Sequence, residues 1–230
     1  MTIAEAINDF KIKWDKIDSS VNKNFLDQEI DWLLNDAQLA FIRSRYNYNN
    51  IAKSDYESNQ SRTDELSTIS IQFPVQPAID LVPVDYGSYK LSKIDLSTLA
   101  FPYMHLTSIE VYNVYCKRWV NPILESHDNY LEELNNPFNK ESCIYNFNSE
   151  NGVPFIYIYG DVNKARISYL RFPDRIFSGT YQHPFVNGST PVGFSLPNQT
   201  HPIIVDMAVD LAKGISTVTY DFNKLQNALS

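Results

Sequence analysis

The chain has 230 residues, 43% hydrophobic, 20% charged and 13% aromatic, enough to bury a core without staples and too apolar for a wholly disordered chain. A formal net charge of −8 and a pI near 4.9 argue against a surface built to hold nucleic-acid phosphates, which needs a basic field. Mild acidity mostly serves solubility, although an acidic wall also suits DNA that must slide past without sticking.

The first residues, MTIAEAINDFKIKW, are charged throughout and lack the apolar run of a signal peptide, and no stretch approaches the roughly 18 apolar residues of a membrane span. The expected setting is a cytoplasm, so the sequons at Asn59, Asn187 and Asn198 carry no glycosylation message. Thr2-Ile3-Ala4-Glu5 has the capping-box pattern, in which hydroxyl and carboxylate satisfy orphan amides reciprocally. Ile3, Ile7, Phe10, Trp14 and Ile17 then recur at helical spacing. After a break at Asp18 to Asn22, NFLDQEIDWLLNDAQLAFIRSRYN predicts a second helix, making residues 1–50 a helical hairpin.

That second helix has two apolar faces. Ile30, Leu33, Leu34, Ala37 and Phe41 form one stripe at an advance of roughly 100° per residue, and Phe25, Trp32, Leu39 and Tyr46 form another on the opposite side. Asp27, Asp31, Asn35 and Gln38 run up the flank between them. The first stripe is expected to face the first helix and the C-terminal helices; the second is a candidate contact with another subunit or with the β core.

Lys53 to Glu65 hold almost no apolar side chain, and residues 51–66 are expected to form an exposed loop. From there the period changes to two. STISIQF, the prolines at 74, 77 and 83, a strand over SIEVYNVYCKRWV (108–120) and a meander of CIYNFN, PFIYIYG and KARISYLRF with a turn at Asn151-Gly152 predict a β core over 67–172, about five to seven strands, mixed or antiparallel. Ser126 to Leu134, stopped by Asn135-Asn136-Pro137, predicts a short helix inserted in that core.

Residues 173–202 carry five of the 12 prolines and three of the 7 glycines, yet also Phe177, Tyr181, Phe185 and Phe194, which need cover. A long aromatic arm of this kind is usually functional, and docking on a neighbouring subunit would account for its length and its apolar content. Residues 203–230 predict C-terminal helices joining the N-terminal bundle, with Thr200 as a cap, Pro202 in the first turn and a kink or restart at Gly214. The expected fold class is α+β.

The strong motifs of hydrolases, nucleotide binders and zincins are missing. Cys116 and Cys143 lack CxxC spacing and read as reduced thiols. His105, His127, His183 and His201 have no second ligand at metal spacing. Asp206 and Asp210 read as a solvated helix face before a metal pair, and Asp128, Glu132 and Glu133 sit on a short polar helix, not as two carboxylates facing across a sugar. Phe155, Tyr157 and Tyr159 read as one packed strand face before a sugar-stacking surface. Arg166, Arg171 and Arg175 read as partners for carboxylates before phosphate ligands. No catalytic, metal or cofactor residue is expected.

Three stretches in order, DWLLNDAQLAFIRSRY at the end of the helical pair, NYLEELNNPFNKES followed by a strand pair and ISYLRFP, and the terminal HPIIVDMAVDLA, resemble the neck ring or adaptor proteins of crAss-like and related podovirus-type tailed phages. That family often has His-Glu where this chain has His201-Pro202. The resemblance implies a non-enzymatic virion protein at the capsid–tail junction, assembled in the host cytoplasm. It would form a homo-oligomeric ring, a dodecamer matching the portal protein, stacked with other neck or tail rings and passing genomic DNA through its lumen. The residues agree in kind, because a ring subunit must present different surfaces to its left and right neighbours. Phe25, Trp32, Leu39, Tyr46, Phe177, Tyr181, Phe185 and Phe194 are the subunit-interface candidates. The rival readings are a carbohydrate- or receptor-binding module, on the tyrosines, and an envelope-polymer hydrolase, on the carboxylates of 125–133.

Overall fold

The computed structural model describes residues 1–15, 25–46, 60–72, 77–86, 89–125, 143–181 and 190–228, of which 60–62, 85–86, 89 and 215–228 are described as backbone. The fold is α+β. The chain divides into two compact units, one formed by 1–69 with 173–230 and the other by 70–172.

The first unit is built on three helices, α1 (Ile3–Asp15), α2 (Asp27–Tyr46) and α4 (His201–Ala228), with the short α3 (Gln60–Leu66) beside them. The capping box forms as the spacing predicts: Thr2 N–H donates to Glu5 Oε2 at 2.7 Å and Glu5 N–H to Thr2 Oγ1 at 3.3 Å. The Glu5 carboxyl is accordingly held below the usual range by the Thr2 amide. Ile3, Ala6, Ile7, Phe10 and Trp14 of α1 are buried, as are Ile30, Leu33, Leu34, Ala37 and Phe41 of α2, and α4 packs on both helices. Each of the larger of these side chains contributes roughly 1.5–3 kcal/mol by leaving water, so the first stripe of α2 alone outweighs any local helix propensity.

The second unit is a two-sheet sandwich. One sheet pairs β10 (Val162–Arg171) with β1 (Ser70–Ile71) and β2 (Ile79–Asp80) on one side and with β5 (Tyr103–Asn113) on the other, followed by β6 (Arg118–Val120). The second runs β3 (Val82–Tyr86), β4 (Tyr89–Asp95), β9 (Val153–Tyr159), β8 (Ile144–Glu150), β7 (Ile123–Leu124), antiparallel except for β7 on β8. Ile94, Ile156 and Ile158 of this sheet meet Ile109, Val111, Ala165, Ile167 and Tyr169 of the other in one core. Period two then sends Tyr157 and Tyr159 to the outer face, where they join Leu91 and Ile144. The β8–β9 hairpin turns at Asn151 (φ 53°) and Gly152 (φ 81°), the left-handed pair that an Asn-Gly step supplies.

Several expectations are corrected. Residues 60–66 are helical, and the turn that follows drives Leu66 and Ile69 into the core; anchors at i and i+3 carry a segment whose preceding residues give no apolar signal. The strand expected over 108–120 is a hairpin. Asn113 Oδ1 accepts the amides of Tyr115 and Cys116 at 2.9 and 3.0 Å, ending β5, and Lys117 turns the chain at φ 52°. The C-terminal segment is one helix running through Gly214, since a single glycine costs only about 1 kcal/mol. Thr200 is no cap: its hydroxyl donates back to Pro197 O at 2.8 Å inside a buried turn. The described strands number ten because proline and glycine cut the sheets into short pieces. The expected inserted helix, with Asp128, Glu132 and Glu133, lies outside the described residues.

Candidate functional site

The polar flank of α2 is a docking rail for the chain's own arm. Asp31 and Gln38 are each only 1% exposed. Ser178 N–H donates to Asp31 Oδ2 at 2.8 Å, Ile176 N–H to Asn35 Oδ1 at 2.9 Å, Asn35 Nδ2 to Ile176 O at 2.9 Å, and Gln38 Nε2 to Asp174 O at 3.3 Å. Helix positions spaced by four and three thus read an extended chain at every second residue, in the opposite direction. Seven helical residues rise roughly 10.5 Å and four extended ones roughly 13 Å, close enough for side-chain reach to absorb the difference. Asn35 makes both bonds to one peptide-bearing residue, the pattern of a β ladder supplied by a helix.

Burial raises the Asp31 carboxyl above the usual aspartate range, opposed by the Ser178 amide and by the Ser178 and Tyr181 hydroxyls, which stabilise the anion. Tyr181 is pushed up to about 12 by burial and by the Asp31 charge beside it. The base of the arm is closed as well. Phe177 and Val192 exchange N–H···O bonds of 2.9 and 2.8 Å, Asp174 N–H donates to Ser195 Oγ at 2.8 Å, and Thr68 Oγ1 donates to Ser195 O at 2.5 Å. Beyond Val192, Phe194 stacks on the His201 ring at 4.3 Å, and that ring's Nε2 donates to Leu196 O at 2.8 Å. His201 is a buried structural histidine whose desolvation lowers its pKa.

The interface candidates therefore separate. Phe25 is spent inside the chain, edge-on to Phe10 at 5.7 Å and to Trp14 at 5.0 Å. Phe177 is fully buried and Tyr181 packs edge-on against it at 5.1 Å. The root of the arm docks on its own chain, which removes Phe177 as an interface residue, while Tyr181 and Phe194 are half-buried against it; Phe185 lies outside the described residues. Leu39 and Tyr46 are half-buried, while Trp32 is 59% exposed. Trp32 shares its face of α2 with exposed Glu29 and Asp36, so a large, mostly exposed aromatic stands between two carboxylates.

Sequence reasoning missed a second exposed feature. The β5–β6 turn presents Tyr115, 78% exposed, beside exposed Val114, Lys117 and Arg118. The turn is held by the Asn113 side chain and by Val114 N–H donating to Asp161 O at 2.8 Å. Next to it Arg166 lies 3.9 Å over the Trp119 ring, with Tyr112 edge-on to Trp119 at 5.6 Å and Glu110 3.7 Å from Arg166. The signal was Asn113 inside an alternating run, masked because its neighbours Val111, Tyr112, Val114 and Tyr115 favour strand.

Among the described residues, most of the other candidate chemistry is taken up by internal contacts; His127, His183, Asp128, Glu132 and Glu133 lie outside them. Asp206 pairs with Lys13 and Asp210 with Lys213, both at 2.7 Å. Phe155, Tyr157 and Tyr159 are buried on the outer sheet face, where the Tyr157 hydroxyl donates to Glu150, Lys93 pairs with Glu150 at 3.0 Å, and the Lys93 ammonium stands over Phe155. They offer no open stacking platform. Cys116 and Cys143 are free thiols. Among the described residues no group of His, Cys, Asp and Glu is placed to hold a metal ion, and no helix is long and apolar enough to cross a membrane. Neither protein-family models nor curated protein sequences give a match to this chain.

Proposed function

We propose that this chain is a structural virion protein, one subunit of a head-to-tail connector ring at the capsid–tail junction that joins portal to tail and keeps a channel open for the genome. The observation that carries the reading is the division of labour on α2: one face buried in the bundle, one flank holding the arm, and a third face offering Trp32 to solvent at 59% exposure. Tryptophan is enriched among the residues that anchor protein interfaces, which supports reading the exposed Trp32 as half of a contact. The rigidly displayed Tyr115 turn supports the same view. The reading needs no reactive residue; Asp206 and Asp210 are taken up in ion pairs with Lys13 and Lys213, and His201 in packing. A net charge of −8 suits a lumen through which DNA passes without being gripped. Light scattering and electron microscopy of the purified chain, alone and with portal, test it: closed rings are expected, and a strict monomer with portal present sinks it. A glycan-binding module would instead require saturable binding lost on replacing exposed tyrosines such as Tyr115.

A further inference from the structure

The two exposed aromatic features carry opposite charge. On α2, Trp32 stands between Glu29 and Asp36, with half-buried Leu39 one turn on and Arg43 ending the acidic stretch. Spacings of three and four put these residues on one side of the helix. On the sandwich, Tyr115 is followed by Lys117 and Arg118 on a turn fixed by the Asn113 side chain, with Arg166 spread over Trp119 alongside. Lys117 and Arg118 make the turn complementary in charge to an acidic surface, and this chain of net charge −8 itself carries an acidic strip with an aromatic at its centre.

We infer that the Glu29–Trp32–Asp36 strip of one copy docks on the Tyr115–Lys117–Arg118 turn of a second copy. The inference rests on the ring reading and supplies its left and right faces. Two different patches that bind each other make a heterologous contact, which propagates around a closed ring, whereas a self-complementary patch stops at a dimer. Each side brings an aromatic anchor of the kind that dominates interface energetics, and the charges around it fix register and disfavour strip against strip or turn against turn. Double-stranded DNA is the other polyanion the turn could meet, but it would leave the Trp32 strip uncovered.

The test uses full-length chains disabled on one side each: Trp32→Ala with Asp36→Arg, and Tyr115→Ala with Lys117→Glu and Arg118→Glu. All these positions are exposed, and unchanged thermal melts verify that both variants fold. Sedimentation velocity is expected to show self-association of the parent weakened at least about tenfold in each variant. A mixture of the two is expected to give a one-to-one dimer and nothing larger, because each retains the patch the other lacks. A third chain carrying Asp36→Arg and Arg118→Asp together should regain assembly relative to either substitution alone. The inference is overturned if the mixture stays monomeric, or if the turn variant assembles normally and loses binding to a short DNA duplex instead. A ring with portal that survives both sets of substitutions overturns it too and leaves the connector reading standing. Association through these patches that never closes into a ring overturns the connector reading alone.

Discussion

Asn35→Ala removes the centre of the rail that holds the arm. The side chain accepts from Ile176 N–H and donates to Ile176 O, both at 2.9 Å, and also donates to Asp31 O at 2.7 Å. Ile176 is buried, so the substitution leaves an amide and a carbonyl without partners away from water, at about 1–3 kcal/mol each. Alanine returns about 0.5 kcal/mol of helix propensity, and partial entry of water relieves some of the rest. The expected net loss is about 2–4 kcal/mol by urea denaturation. Gln38→Ala breaks one long bond of 3.3 Å and is expected to cost less, about 0.5–1.5 kcal/mol. Hydrogen exchange should speed up at Ile176 and Ser178 in the Asn35 variant before it does so in the sandwich. A cost under about 1 kcal/mol for Asn35→Ala, or unchanged protection at Ile176, refutes the idea that these side chains hold the arm.

Asp31→Asn keeps an acceptor for the Ser178 amide and removes a buried charge. Because burial raises the Asp31 carboxyl above its ordinary value of 3.8, the fold takes up this proton more readily than the unfolded chain does, and its contribution to stability grows as pH falls from neutral toward that value. The variant is expected to match or exceed the parent in melting temperature at pH 7, with the advantage shrinking toward pH 4; an advantage that grows on acidification contradicts the assignment. His201 works in the opposite sense: burial lowers it below the ordinary 6.5, so stability is full above that value and is lost as pH falls through the lowered one. His201→Gln should flatten that limb of the melting-temperature profile, and an unaltered limb would assign it elsewhere. Phe177→Ala empties a fully buried site at the base of the arm and should cost about 3–5 kcal/mol in denaturation; a loss below about 1 kcal/mol would mean the site collapses freely.

Legibility in the sequence followed burial that obeys a period. The first stripe of α2, the capping box at Thr2 and Glu5, and the Asn151-Gly152 hairpin could all be read, because each is a local rule that the tertiary structure happens to satisfy. The rail could not. Asp31, Asn35 and Gln38 look like a solvated flank because polarity on a helix usually means water; here the partner is backbone 136 to 147 residues away, and no pattern within the helix announces it. One hint was available: a proline-rich segment without a strand of its own must find partners for its amides, and short amide and carboxylate side chains in a row can supply them. The Tyr115 turn was hidden for a different reason. Alternating apolar residues continued through it, and the strand was ended by one side chain, Asn113, bonding two amides ahead. Of the second stripe, periodicity placed Trp32 and Phe25 on one side of α2 and could not say that α1 would claim Phe25 and leave Trp32 outside.

The connector proposal requires that copies of this chain close into a ring between portal and tail. Electron microscopy of the full-length chain incubated with portal addresses it directly. A ring of copies with an open central channel, stacked coaxially on the portal, is expected; single copies scattered in the field, or bound at the portal's rim without closing a circle, would refute the proposal.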